Sequence, residues 1–314
     1  MLSDTLHLES LSSANIQQLQ RLLADNNFLQ LVSSREQYPQ SPGSGLPLLR
    51  LQTPLCSAVI ALQGAQLLEF TTTHGAPLLW LSPNCNFSQG TALRGGVPLC
   101  LPWFGPHPTD SKKPKHGFAR NRPWQLSAAS ILENGCAELA FSFASPANEL
   151  FEFAFSAQLT MTLGKTAKLA IAISNTDSKA FACSWVLHNY HAVSSLEDVR
   201  VTGLSGKTYL DNLEKHAEKY QAEDVKFSGE VDRVFPGIDN PLKIQSQPSI
   251  AITHHNCPSV VVWNPGAALA ATMADVGAGN EQDYICVERG AVLQEQWHLQ
   301  PGESRSAWME FQEI

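Results

Sequence analysis

The chain has 314 residues, and its 21 lysines and arginines against 29 aspartates and glutamates give a formal net charge of −8. Hydrophobic residues make up 43% of the chain and charged residues 16%, so a large core is available and a mainly disordered chain is excluded. The negative charge argues against nucleic acid or an anionic membrane as a partner.

The N-terminal sequence and the cysteines both favour a cytoplasmic protein. The N-terminus carries no basic segment followed by an apolar one, so we expect no signal peptide. Pro98, Pro102 and Pro106 interrupt the most apolar region, and we therefore expect no membrane-spanning helix. The seven cysteines form no CxxC pair, which is typical of reduced and mostly buried thiols.

A short helix is predicted near the N-terminus. Apolar side chains recur at helical spacing over residues 13 to 25, and Ser12 or Ser13 is the candidate N-cap. A turn-rich stretch with three prolines and two glycines follows over residues 38 to 47. We therefore expect residues 1 to 40 to form a helical appendage and linker, and residues 41 to 314 to form one domain.

Period-two alternation predicts strands through the rest of the chain. Over residues 151 to 163, large apolar side chains occupy one parity and mostly polar ones the other, as in a sheet with one face on a core. Further strands are expected at 139–143, 169–173, 56–62, 66–71, 259–263, 284–288, 292–298 and 306–312. Many short strands separated by turn residues predict an all-β fold, a large antiparallel β-sandwich.

The segment from Arg94 to His107 is predicted to be a shaped loop, because it holds three glycines and three prolines in 14 residues. Within it, Trp103 and Phe104 offer flat apolar surfaces of the kind that stack on sugar rings. The alternative is that these two aromatic side chains fill the core behind a rigid connector.

A basic cluster follows that loop in an otherwise acidic chain. A local positive site suits a small anion, and the planar fork of arginine suits a phosphate. A solvated basic loop is the alternative. The cluster comprises Lys112, Lys113, Lys115, His116, Arg120 and Arg122.

Histidines end a predicted strand in the middle of the chain. His188 and His191 follow an apolar run, where a histidine can be structural, catalytic or part of a metal pair with His107 or His116. Because the spacing is HxxH and no carboxylate lies nearby in sequence, we expect no metal site.

Two carboxylates occupy comparable places later in the chain. Glu288 ends an apolar strand, a setting that tends to raise a carboxylate pKa and makes this residue a candidate base. An ion pair with Arg289 or Arg305 is the alternative. Asp232 is either a hydroxyl-binding carboxylate or part of a surface pair.

Taken in order, six segments resemble the D-hexose-6-phosphate mutarotases, or glucose-6-phosphate 1-epimerases, of the aldose 1-epimerase superfamily. The segments are RGGVPLCLPWFGPH, KHGFAR, WVLHNYHAVSSLEDVRVTGLSGKTYLDNL, VDRVF, VVVWNP and ICVERGAV, and the resemblance covers about residues 50 to 314. It implies a sandwich of the galactose mutarotase type, in agreement with the strand pattern. It also implies an isomerase that acts on a small hexose phosphate, without a cofactor.

The resemblance also implies residue roles. His188 would be the general acid and Glu288 the general base, while Arg94 and Arg120 would hold the phosphate, and His116 and Asp232 would bind ring or hydroxyl oxygens. His191 and Arg289 depart from the family pattern beside the proposed catalytic groups. We expect the acid and base to lie about a sugar ring's width apart, the two arginines to meet at one anion, and the protein to be a monomer.

Two other classes of function compete with this one. A non-catalytic carbohydrate-binding sandwich would keep the aromatic residues and the arginines, but would not need both His188 and Glu288. A glycosidase or lyase on a similar sandwich would usually use two carboxylates around one bond, whereas the matched positions offer one carboxylate and one histidine.

Overall fold

The computed structural model describes residues 12–314, and these residues are built mainly from antiparallel strands. The helices are α1 (Ser13–Asp25), α2 (Ser34–Gln37) and α3 (Gly266–Ala270). The strands are β1 (Leu29–Ser33), β2 (Pro47–Gln52), β3 (Cys56–Ala61), β4 (Gln66–Thr72), β5 (Leu99–Cys100), β6 (Gln125–Ile131), β7 (Ala137–Ser145), β8 (Phe155–Leu163), β9 (Ala167–Asn175), β10 (Phe181–Cys183), β11 (Trp185–Leu187), β12 (Tyr190–Ala192), β13 (Arg200–Thr202), β14 (Lys207–Asp211), β15 (Ala217–Gln221), β16 (Val231–Phe235), β17 (Leu242–Gln245), β18 (Ile250–His255), β19 (Ser259–Asn264), β20 (Tyr284–Ala291), β21 (Trp297–Leu299) and β22 (Ser304–Glu313). The predicted all-β class is confirmed.

Two large sheets dominate the described residues. The first, which we name the β20 sheet, has the strand order β15-β14-β16-β19-β20-β11-β5, and β12 also pairs with β20. The second, the β8 sheet, has the order β13-β17-β18-β22-β9-β8-β7-β6. A smaller sheet joins β1, β2, β3 and β4 in sequence, and β10 pairs with β21. No helix among residues 12–314 has the length and apolar character needed to cross a membrane.

The core lies between the inner faces of these sheets. Alternate residues of β8 are buried, as the period-two pattern predicts. Ile285 and Val287 of the β20 sheet belong to the same apolar cluster as Phe141 and Leu159 of the β8 sheet and Ile60 of the smaller sheet. Burying each such side chain contributes about 1.5–3 kcal/mol to the free energy of unfolding.

The predicted N-terminal helix is present as α1. The Ser12 side chain caps it by accepting a hydrogen bond from the Asn15 backbone N–H at 3.2 Å, and Leu19 is buried. Helix α1 lies against β6, the last strand of the β8 sheet, where the Gln18 side-chain amide donates to the Ser127 backbone carbonyl at 3.1 Å.

The structure differs from the strand prediction in several places, including the predicted run at 151–163, where strand β8 begins only at Phe155. Strand β1 lies inside the segment expected to be an appendage, yet it pairs with β2 from Leu29 opposite Leu51 to Ser33 opposite Pro47. The predicted strand at 292–298 is wrong over most of its length, because Leu293 has a left-handed φ of 54° and residues 293–295 form a 3-10 turn.

Close backbone contacts fix the loops that carry the basic residues. Gly117 has a φ of 68°, and a Cβ at this position would lie 2.0 Å from the Leu101 carbonyl oxygen. Its neighbour His116 is itself left-handed, with a φ of 65°. Gly105 has a similar φ of 73°, but a Cβ there would meet nothing within 4 Å.

These two glycines form a matched pair for a stability test. Gly105→Ala should lower the free energy of unfolding by about 1–2 kcal/mol, the cost of a left-handed alanine. Gly117→Ala should cost about 1–3 kcal/mol more, because its methyl group also overlaps the Leu101 carbonyl. Urea unfolding of both variants measures the difference, and equal losses would contradict the close contact.

His191 lies on the core face of β12, away from the adjacent Tyr190. It is fully buried, and its ring packs edge-on against Phe311 at a centroid distance of 5.3 Å. Burial lowers the pKa of His191 to about 4. The unfolded chain therefore binds this proton in a pH range where the native protein does not.

This burial predicts a pH dependence of stability. Because the native pKa of His191 lies below its unfolded value of about 6.5, its contribution to the free energy of unfolding should fall between pH 6.5 and about 4. His191→Leu should remove this component, which amounts to at most about 3 kcal/mol. Urea unfolding at several pH values should show a shallower acid loss in the variant, and identical slopes would contradict the prediction.

Candidate active site

One face of the β20 sheet collects the polar side chains that the sequence singles out. Because side chains alternate along a strand, Cys286 and Glu288 project from one face of β20, while Val287 belongs to the core. In the strand register, Asp232 of β16 lies opposite Trp263 of β19, which lies opposite Cys286. Tyr190 of β12 pairs with Cys286 from the other side. These residues form a row across four strands.

His188 reaches this face from the turn between β11 and β12. Its backbone N–H donates to the Pro98 carbonyl at 3.0 Å, and its ring stacks on Tyr190 at 4.8 Å with an interplanar angle of 8°. Its Nδ1 lies 3.3 Å from Glu288 Oε1. The two groups are therefore closer than the ring's width expected from the sequence.

The His188–Glu288 contact is buried and is not a hydrogen bond. His188 is 6% exposed and Glu288 is 1% exposed. Neither His188 Nδ1 nor either Glu288 carboxyl oxygen has a hydrogen-bond partner among the described residues. All three atoms are thus free to bond to another molecule that enters the site.

Burial disfavours the charged form of both partners. It raises the pKa of Glu288 well above its ordinary value, and the nearby Asp232 raises it further, while Arg120 lowers it. Burial also lowers the pKa of His188, and the charges of His116, Arg120 and Arg94 act in the same direction. Both shifts disfavour an ion pair of a charged carboxylate and a charged imidazolium at this contact.

Arg94 is held rigidly at the edge of this site. Its Nε donates to Asp275 Oδ2 at 2.9 Å, and a second guanidinium nitrogen lies 2.8 Å from the same oxygen. Its remaining terminal nitrogen donates to the Tyr190 hydroxyl at 2.8 Å. Gly96 fixes the backbone here, because a Cβ would lie 2.2 Å from the Leu67 carbonyl oxygen.

Arg120 and His116 approach from the loop after β5. A terminal nitrogen of Arg120 donates to the Lys115 carbonyl at 3.1 Å. His116 Nδ1 accepts the Gly105 backbone N–H at 3.3 Å, which places the proton of the neutral ring on Nε2. Burial, followed by the charges of Arg120, Arg94 and Lys115, lowers the pKa of His116 to about 3.

The charges of both arginines therefore act on one site. Arg94 and Arg120 each lower the pKa of His116 and of His188, although 26 positions separate them in sequence. The meeting of both arginines at a single anion stays a prediction.

Asp232 lies on the same face as Glu288. The Asn212 side-chain amide donates to its Oδ1 at 2.7 Å. Burial raises the pKa of Asp232 to about 6, even though this hydrogen bond opposes the shift. A surface ion pair does not account for Asp232, since its bonded partner is a neutral amide.

The adjacent aromatic residues Trp103 and Phe104 lie in different environments. Trp103 is 4% exposed, its indole N–H donates to the Pro114 carbonyl at 2.9 Å, and its ring packs on Phe118. The expected sugar contact of Trp103 is therefore replaced by a place in the core. Phe104 packs edge-on against His116 at a centroid distance of 4.9 Å, beside the site.

His191 and Arg289, the two departures from the family pattern, point away from His188 and Glu288. Arg289 projects to the opposite face from Glu288, where its guanidinium donates to the Ile238 and Asn240 carbonyls at 2.6 and 2.8 Å. The alternative ion pair between Glu288 and Arg289 is thus wrong. Arg305 pairs with Glu303 instead.

Sequence reasoning missed three side chains of this region. Tyr190 and Cys286 each lie two residues from a predicted catalytic group on a strand or its end, so the period-two rule could have placed them on the same face. Asp275, which holds Arg94, comes from the segment after α3 and carries no comparable signal.

Comparison with known proteins shows sequence similarity to one family over most of the chain. A family model described as aldose 1-epimerase matches residues 47–312. A Salmonella typhimurium protein named "Putative glucose-6-phosphate 1-epimerase" is 34% identical over 249 residues, covering 77% of this chain and 82% of that protein. A protein of the same name from Cenchrus ciliaris is 34% identical over 263 residues, covering 79% and 78%.

A solved structure gives the same result in three dimensions. The crystal structure of a Salmonella typhimurium protein titled "putative mutarotase" superposes with a TM-score of 0.78 at 30% sequence identity, covering 85% of this chain and 90% of that one. The family model spans most of the chain, and the two relatives exceed 30% identity. The chain belongs to the aldose 1-epimerase family.

Proposed function

We propose that this protein is an isomerase that interconverts the α and β anomers of hexose 6-phosphates, with glucose 6-phosphate as its substrate. The observation that carries the proposal is the buried contact of 3.3 Å between His188 and Glu288, whose polar atoms remain available for bonding. Relatives that bear the name of a glucose-6-phosphate 1-epimerase support the choice of substrate.

The reaction needs one proton donor and one proton acceptor at the same sugar ring. In the proposed mechanism, His188 protonates the ring oxygen while Glu288 removes the proton of the anomeric hydroxyl. The C1–O5 bond then opens to the aldehyde, C1 rotates, and the ring closes on the other face. The buried contact of 3.3 Å supports this mechanism, because it holds a candidate donor and a candidate acceptor where both can reach one sugar ring.

The positive charges would orient the substrate. A phosphate on C6 carries its charge far from C1, so an arginine that binds it fixes the ring without entering the chemistry. Arg120 supports this role best, because its guanidinium has a single hydrogen bond to protein, whereas Arg94 is already bonded to Asp275 and Tyr190. His116 Nε2–H and the Asp232 carboxylate would hold ring or hydroxyl oxygens, and Phe104 would line the approach.

A non-catalytic carbohydrate-binding protein is the weaker candidate. Such a protein would have no reason to bury a carboxyl and an imidazole together without a mutual hydrogen bond, because an unsatisfied buried polar group costs about 1–3 kcal/mol. We also propose a monomer in the cytoplasm, and the seven free cysteines are compatible with that location.

Removing either proton-transfer group should abolish most of the catalysis. His188→Asn and Glu288→Gln retain shape and most hydrogen bonding, so each should fold and yet lower anomer exchange by about 10²–10⁴-fold. The double variant should lose less than the product of the two losses, because both groups act on one transition state. Exchange between the anomers of glucose 6-phosphate, followed by NMR or polarimetry, measures these rates.

Matched controls come from exposed positions of the same residue types. His298→Asn and Glu218→Gln change the same chemistry on the surface and should leave exchange unchanged. Near-normal exchange in His188→Asn or in Glu288→Gln would remove that residue from the mechanism. Near-normal exchange in both would overturn the proposed function.

Arg120→Ala should weaken binding of phosphorylated substrates selectively. Loss of a charge-assisted hydrogen bond costs about 1.5–3 kcal/mol, so KM for glucose 6-phosphate should rise about 10- to 100-fold while KM for glucose changes little. Arg122→Ala is the matched control, because Arg122 is exposed and lies two positions away. An equal rise in KM for both sugars would contradict a phosphate contact.

A further inference from the structure

Three potential metal ligands meet on the site face of the β20 sheet. His188, Cys286 and Glu288 each offer one donor atom, these atoms lie within 4.8 Å of one another, and all three residues are buried. The cluster differs from the HxxH pair considered from the sequence, because His191 turns to the core. Its third member, Cys286, has no place in the proposed proton transfer.

The alternation and pairing of the strands bring the three donor residues together. Cys286 and Glu288 are two residues apart on β20 and therefore point to the same face. Tyr190 pairs with Cys286 across the sheet and stacks on His188, which keeps the imidazole beside the same stretch of β20. No rearrangement of the backbone is needed to bring the three donors together.

We propose that His188, Cys286 and Glu288 form an inhibitory binding site for a thiophilic divalent cation, zinc or cadmium. The bound ion would occupy the acid and the base together and so block anomer exchange. The inhibition rests on the proposed function, whereas the binding of the ion does not.

The spacing of the donors fits tetrahedral zinc. With Zn–N and Zn–O bonds of about 2.1 Å, the nitrogen and oxygen of a tetrahedral site lie about 3.4 Å apart. His188 Nδ1 and Glu288 Oε1 are 3.3 Å apart without a hydrogen bond between them. The Cys286 sulfur lies within 4.8 Å of one donor atom of His188 and one of Glu288, and it must move closer to the ion to reach a Zn–S distance of about 2.3 Å.

Charge balance explains why the flanking arginines do not exclude a cation. A thiolate and a carboxylate together supply two negative charges, so a divalent ion bound to both, with a neutral histidine, gives a unit of zero net charge. The Asp232 carboxyl, two strands away on the same face, adds to the attraction for a cation. Metal binding must displace the thiol proton of Cys286, which favours zinc or cadmium over magnesium or calcium, because the latter prefer oxygen ligands.

The ligand count leaves a fourth position open. Three protein ligands and one open position are typical of zinc sites that also bind water or substrate. A water could fill it, so the ion needs no further protein ligand, and it should compete with the sugar for His188 and Glu288 rather than denature the protein.

Cobalt(II) spectroscopy tests the binding without reference to catalysis. Titration of the full-length protein with Co²⁺ should produce thiolate-to-cobalt charge-transfer absorption, which Zn²⁺ or Cd²⁺ should displace. Cys286→Ala should abolish that absorption and weaken Zn²⁺ binding by more than about 100-fold, since changing even the hydrogen-bond partners of metal ligands costs about 10- to 100-fold. Cys100→Ala, a buried thiol on β5 of the same sheet, is the matched control and should keep the absorption.

A second variant keeps the test decisive if Cys286→Ala does not fold. His188→Asn retains the thiol, so the absorption should persist at high Co²⁺ while the affinity falls. Absence of thiolate absorption in the wild-type protein, or equal Co²⁺ affinity in wild type and Cys286→Ala, would overturn the metal site.

Enzyme assays separate the two proposals. If the wild type catalyses anomer exchange, Zn²⁺ should inhibit it, and the inhibitory concentration should rise at least about 10-fold in Cys286→Ala relative to that variant's own uninhibited rate. If no exchange is found but the cobalt spectrum behaves as expected, the proposed function fails and the metal site stands. Zn²⁺ binding without any inhibition of an active enzyme would overturn the inhibitory role.

Discussion

The site depends on the complete burial of strand β20, whose eight residues are all shielded from solvent on both faces. One face supplies Ile285 and Val287 to the core, and the other holds Glu288 where water does not stabilise its charge. The same desolvation acts on His188, which is stacked on Tyr190. The burial of this strand and its neighbours therefore disfavours the charged forms of a carboxyl and an imidazole that lie 3.3 Å apart.

The surrounding residues and loops hold positively charged side chains in place near His188 and Glu288. Asp275 and the Tyr190 hydroxyl hold Arg94 in one orientation, so its guanidinium need not lose side-chain freedom when a ligand arrives. Gly96 and Gly117 let their loops approach neighbouring backbone closely, which fixes the segments that carry Arg94 and His116. The positions of the site residues are therefore set both by close backbone contacts of the loops and by the register of the strands.

Much of the fold was predictable because burial on one face of a sheet produces period-two alternation. Strands β7, β8 and β9 follow this rule over most of their length, and helix α1 follows its helical counterpart. Strand β1 was not predictable from the sequence, because its five residues, with one polar interruption, form too short a pattern. Its pairing with β2 is a tertiary contact. The turn at 293–295 depends on the left-handed backbone conformation of Leu293, which cannot be predicted from the presence of a leucine.

The candidate site was predictable to a different degree. Motif order singled out His188, Glu288 and Arg120, which the structure brings together, and parity along β20 and β12 accounts for Cys286 and Tyr190. The core position of Trp103 and the projection of Arg289 away from Glu288 could not be deduced, because each depends on which carbonyl groups the surrounding loops present. Asp275 was missed for the same reason, since its partner lies 181 positions away.

The contact between α1 and β6 has a consequence for how the protein behaves in concentrated solution. A strand at the end of a sheet offers unpaired backbone groups to other chains, and proteins protect such edges with bulges or covering segments. Here Ser127 lies at a register shift in β6, and the Gln18 side chain occupies its carbonyl oxygen. Helix α1 therefore covers part of the edge strand β6 and disfavours edge-to-edge aggregation of the β8 sheet.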